Sequence, residues 1–77
     1  MKRYQELKLN FRIPDFLEDD IHAFIQYLNE NPTGTLSDCY EAEIRSDINW
    51  CDGLTKEQAE LLRNYYVRGG IFNGQDH

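Results

Sequence analysis

Apolar residues along this chain change period three times, and each change predicts a change of element. Between Leu7 and Ile13 they alternate, with Leu7, Leu9, Phe11 and Ile13 on one side and Lys8, Asn10 and Arg12 on the other. A period of two reads as a half-buried strand, with coil left open for 7–13 and a helical turn for Tyr4–Leu9 taken alone. Pro14 ends the run. Beyond it Leu17, Ile21, Phe24, Ile25 and Leu28 recur at helical spacing, opposite Glu18, Asp19, His22, Gln26 and Glu30. Asp15 stands where an N-cap is expected and Glu18 where a carboxylate can reach back to it, while Asn31-Pro32-Thr33-Gly34 supplies a stop. These signals predict a helix over 15–31.

A second helix is expected over 36–51, with Leu36, Tyr40, Ile44, Ile48 and Cys51 as its stripe. Trp50, Cys39 and Ala42 lie on a second edge, with Glu43 and Asp47 between the two. Asp52-Gly53 makes the next turn. Thr55 followed by Gln58 forms a capping-box pattern, and Leu54 is placed to staple onto Ala59. Leu61, Leu62, Tyr65 and Tyr66 give the buried arc of a third helix over 55–68, with Gly69 as its left-handed stop. Ile71 and Phe72 are placed to close the core or to pair with the 7–13 segment. The fold expected is mainly α: one three-helix domain over 1–77, with an extended N-terminal segment at 1–14 and a tail at 69–77.

Length fits a single small core. Seventy-seven residues that are 40% hydrophobic, with ten aromatics, can close one core but leave little margin. Such domains commonly net only about 3–5 kcal/mol, which is why self-association into a homodimer enters as a reading. No apolar run reaches the ~18–20 residues of a membrane span. The charged start, followed by alternation, does not resemble a signal peptide. Cys39 and Cys51 would lie about 18 Å apart along one helix, so free thiols and a reducing, cytoplasmic setting are expected.

Charge changes the picture more than composition does. Twelve of the fourteen carboxylates fall between Pro14 and Glu60, where Arg45 and Lys56 are the only cations, so the middle carries −10 within a chain of net −6. Crowding of Asp15, Glu18, Asp19 and Asp20 in the first turn of a helix suits its dipole. An acidic body repels nucleic acid and anionic membranes and attracts basic surfaces.

Chemical signatures fail on their own requirements. Asp47–Gly53 glances at a calcium loop, but the invariant glycine would put Ile48 and Trp50 at ligand positions and Ala59 where a bidentate Glu is needed. Glu18, Asp19 and His22 share a helix face without the further ligands that zinc requires. The one internal histidine lies opposite the core stripe, so no nucleophile–base pair has a pocket to perturb it. Nothing in the pattern signals a cleft that would set paired carboxylates apart. Gly69-Gly70-Ile71-Phe72-Asn73-Gly74 follows a helix instead of opening one and is no phosphate loop. The expectation is therefore a protein without catalysis, cofactor or metal. A helix-turn-helix reading would use Lys56, Arg63, Asn64 and Arg68, but it sets the carboxylates of the first two helices against the duplex.

Arg3-Tyr4-Gln5-Glu6-Leu7-Lys8 and Ile13-Pro14-Asp15-Phe16-Leu17-Glu18-Asp19-Asp20-Ile21 resemble the openings of small uncharacterised proteins from prophages and conjugative transposons of Gram-positive bacteria. The resemblance covers the first third of the chain. It implies an accessory protein acting through contacts, and it assigns no residue a role. The function expected is docking of an acidic face on a basic protein surface, in the manner of a DNA mimic, with no direct nucleic-acid or membrane partner. The candidate contact residues are Asp19, Asp20, Glu41, Glu43, Asp47, Trp50, Tyr65 and Tyr66, with Tyr27 and Tyr40 as further rim aromatics.

Overall fold

A computed structural model describes residues 4–31 and 37–71. Helix α1 spans Asp15–Glu30, α2 spans Ser37–Trp50 and α3 spans Lys56–Leu62, the last running directly into a π-helical turn at Arg63–Val67. No strand occurs among the described residues, so the chain is a small mainly-α domain. Pro32, Thr33, Gly34, Thr35, Leu36 and Phe72 lie outside the described residues.

The periodicity of α1 is realised in full. Leu17, Ile21, Phe24, Ile25 and Leu28 are its buried residues, joined in one core by Ile44 and Ile48 of α2, then Leu62, Tyr66 and Ile71. Burying side chains of this size stabilises by about 1.5–3 kcal/mol each, so this cluster carries most of the fold. Helix α1 packs along α2, and α2 in turn contacts α3 and the π turn. Phe24 and Tyr27 both meet Tyr40, with ring centroids 6.1 and 5.0 Å apart. Since Asp20, nearer the start of α1, faces Asp47, nearer the end of α2, the two helices run antiparallel.

Several local expectations need correction. Pro14 is the N-cap of α1 and Asp15 its first helical residue; the cap is closed by backbone alone, Glu18 N–H donating to the Pro14 carbonyl at 3.0 Å. Proline's fixed φ, here −61°, holds the extended cap conformation without a side-chain acceptor. Glu18 turns instead towards His22. Leu61 is 45% exposed and leaves the buried arc, and Cys51, placed in the α2 stripe, is only half-buried. Both thiols, Cys39 and Cys51, are free. The third helix is α-helical only to Leu62. Its start does follow the capping box, with Thr55 and Gln58 bonding reciprocally at 3.0 and 3.1 Å.

The N-terminal segment is a strap, not a strand. Leu7, Leu9, Phe11 and Ile13 are half-buried against the core as the alternation requires, but the described residues include no neighbouring strand for the backbone to pair with. Side chains satisfy it instead. The Asn29 amide bonds both the N–H and the carbonyl of Tyr4, at 2.7 and 3.1 Å, as a neighbouring strand would. Tyr66 hydroxyl accepts from Leu7 N–H at 2.8 Å and Tyr65 hydroxyl donates to the Gln5 carbonyl at 2.7 Å. Two adjacent residues serve one strap because the π turn, closed by the Arg68 N–H on the Arg63 carbonyl at 2.9 Å, widens the helix where they project.

The two glycines after the turn do different work. Gly69 takes φ +80° and so reverses the chain as expected. Gly70 brings the chain back against the π turn, where a Cβ would sit 2.8 Å from Tyr65 Cα and closer still to the Asn64 carbonyl oxygen. Only glycine fits that approach. It delivers Ile71 to the core, so of the two expectations for this residue the structure selects core closure.

Candidate interaction surface

The eight candidate residues separate into two groups. Tyr66 is buried, its hydroxyl spent on Leu7, and burial pushes its pKa up. Tyr65 is half-buried, edge-on to Tyr66 at 4.8 Å, and bonded to Gln5. Both therefore hold the strap and present little to a partner. Tyr27 and Tyr40, expected at a rim, pack against each other in the α1–α2 seam with their rings tilted by 30°.

Of the remaining six, four fall together beside that seam. Glu43, Asp47 and Trp50 follow one another at spacings of four and three, which places them on one face of α2. Asp20 faces Asp47 from α1. Asp19 and Glu43 are exposed and Glu41 is half-buried. Partial burial raises the Glu41 pKa, with Asp38 adding to the rise and Arg45 opposing it. Trp50 is 80% exposed, at the last position of α2. The structure thus brings Asp20, Glu43, Asp47 and Trp50 together and leaves Tyr65 and Tyr66 elsewhere.

Asp47 is the unexpected member. One of its carboxylate oxygens is sealed from solvent and accepts no hydrogen bond. Desolvation first, then the Asp20 carboxyl across the seam and the charge of Glu43, raise its pKa from 3.8 to about 7. A hydrogen bond between two carboxyls exists only when one holds a proton, so the pair favours a shared proton over two charges. Sequence spacing carried a faint sign of this. Asp20 is in register with Phe24 and Tyr27, as Asp47 is with Tyr40, but only the antiparallel packing sets the two acids opposite each other.

Residues that a metal or DNA reading would have used have partners inside the chain. His22 is exposed and lies between Glu6 of the strap and Glu18, Nε2 being 3.7 Å from the latter. Arg63 donates to Asn49 at 3.1 Å and lies 3.5 Å from Glu60, while Arg68 bonds Glu60 and Asn64. No group of three His, Cys, Asp or Glu side chains is arranged to hold a metal among the described residues.

One concavity was not foreseen. A groove of about 450 Å³ opens between the strap and the first turns of α1, with Leu9, Phe11 and Ile21 along it and Arg12, Asp15 and Glu18 among its polar residues. No helix among the described residues is long and apolar enough to cross a membrane. No family model matches this chain, and neither a curated protein nor a solved structure matches it.

Proposed function

We propose that this chain is a small protein-interaction module without catalysis, which docks the acidic face of α1 and α2 on a basic protein surface. The observation that carries the reading is Trp50. A tryptophan 80% exposed at a helix end, on the same face as Glu43 and Asp47, is a large apolar anchor with acidic residues to one side of it. Interfaces concentrate their energy in such aromatic anchors and use surrounding charge for steering and specificity. The sharper form of the proposal is mimicry of DNA, with helix carboxylates standing in for phosphates on a nucleic-acid-binding protein. The setting proposed is the cytoplasm of a bacterium that carries a mobile element, and no cofactor, metal or membrane takes part.

The test is affinity capture from bacterial lysate at low and high salt, using wild type, Trp50→Ala and Glu43→Lys. A basic protein held by wild type at low salt and lost from both variants supports docking. Retention equal across all three overturns it. Capture of the bait alone, eluting as a dimer, would instead favour a self-associating homodimer.

A further inference from the structure

We propose that Asp20 and Asp47 form a pH-sensitive latch, in which one proton shared by the two carboxyls holds α1 against α2 and its loss loosens that seam. The geometry is that of the helix packing: Tyr27 meets Tyr40 at 5.0 Å, and Asp20 and Asp47 each stand seven residues from that contact along the two antiparallel helices, so the acids come to one level of the seam, with one Asp47 oxygen sealed from water and unbonded. With the proton present, the pair is a hydrogen bond across the seam. Without it, two negative charges face each other at a site where water cannot screen them fully.

Among the described residues no cation acts on Asp47 to relieve the pair. From α1 the facing group is Asp20, and on α2 the nearest charge acting on Asp47 is Glu43, which is also negative. The arginines of the π turn and its end are engaged elsewhere, Arg63 with Asn49 and Glu60 and Arg68 with Glu60 and Asn64. Glu6 of the strap pairs with His22, which stands about 200° round α1 from Asp20. The elevated Asp47 pKa follows from the same arrangement and puts the transition near neutrality.

Stability responds with a definite sign. Between the ordinary aspartate value of 3.8 and the raised value, the folded chain binds a proton that the unfolded chain has released. Stability contributed by the latch is therefore complete at the acidic end, falls as pH rises through that interval, and levels off above it.

The experiment is urea denaturation from about pH 5 to about pH 8 of wild type, Asp47→Asn and Asp20→Asn. It is paired with carbon-13 titration of the aspartate carboxyls in the wild-type chain. The wild-type midpoint should fall across this range, and the Asp47→Asn midpoint should fall clearly less. One carboxyl of the pair should titrate near neutrality. Every other titratable group is common to the three proteins, so the difference between profiles isolates the pair. Parallel profiles for wild type and both variants would overturn the latch. So would ordinary titration of both carboxyls, a readout that stands even if a variant fails to fold.

Discussion

The α1–α2 seam and the N-terminal strap are held to the same core by opposite means. In the seam, apolar side chains do the holding, with Ile21, Phe24, Ile44 and Ile48 buried and Tyr27 packed against Tyr40. The polar groups there, Asp20 and Asp47, oppose each other. In the strap, apolar side chains are only half-buried, and polar groups do the fixing through Asn29, Tyr65 and Tyr66. A seam built on burial tolerates one strained polar pair because the loss is small against several buried side chains. A strap built on single hydrogen bonds, each netting about 0.5–1.5 kcal/mol, has no such reserve.

The comparison breaks most visibly at Phe24. Phe24→Ala empties the centre of the seam and should cost about 3–5 kcal/mol. Because a domain of this size nets about the same, the variant should be largely unfolded by circular dichroism. Gly70→Ala comes next. Its methyl must displace the backbone of the π turn, at a cost of about 1–3 kcal/mol typical of overpacking. Thermal denaturation should show the loss, and hydrogen exchange should show the strap released along with the turn that anchors it.

Smaller changes sharpen the contrast. Tyr66→Phe keeps the ring in the core but removes the acceptor for Leu7 N–H, a loss of about 0.5–1.5 kcal/mol. The Leu7 amide should exchange faster while helical circular dichroism stays unchanged. Tyr65→Phe removes a more exposed bond and should cost about 0.5 kcal/mol, the low end for a hydrogen bond. Should either phenylalanine variant unfold the helices, strap and seam are one cooperative unit and the contrast fails.

What the sequence disclosed divides along the same line. Helix α1 was legible because five core residues repeat at its period, and the start of α3 because Thr55 and Gln58 form a local signal. The strap's alternation was read correctly as half-burial. It could not reveal that the backbone partners would be Asn29, Tyr65 and Tyr66, which lie 25 to 60 residues away. The π turn left no trace in periodicity, and the need for Gly70 shows only once the chain folds back on Tyr65. On the candidate surface, Glu43 and Trp50 stood out by position along α2. Tyr65 and Tyr66 looked equally available until packing committed them to the strap.

Trp50 is the only tryptophan in the chain, so its fluorescence reports directly on the proposed docking face. The most direct test of that proposal is its emission as a captured basic partner is added, with the partner's own signal subtracted. The account predicts a water-exposed emission maximum in the free chain, a saturable blue shift on binding, and reversal of that shift by high salt. A partner that binds while the emission stays unchanged would contradict it.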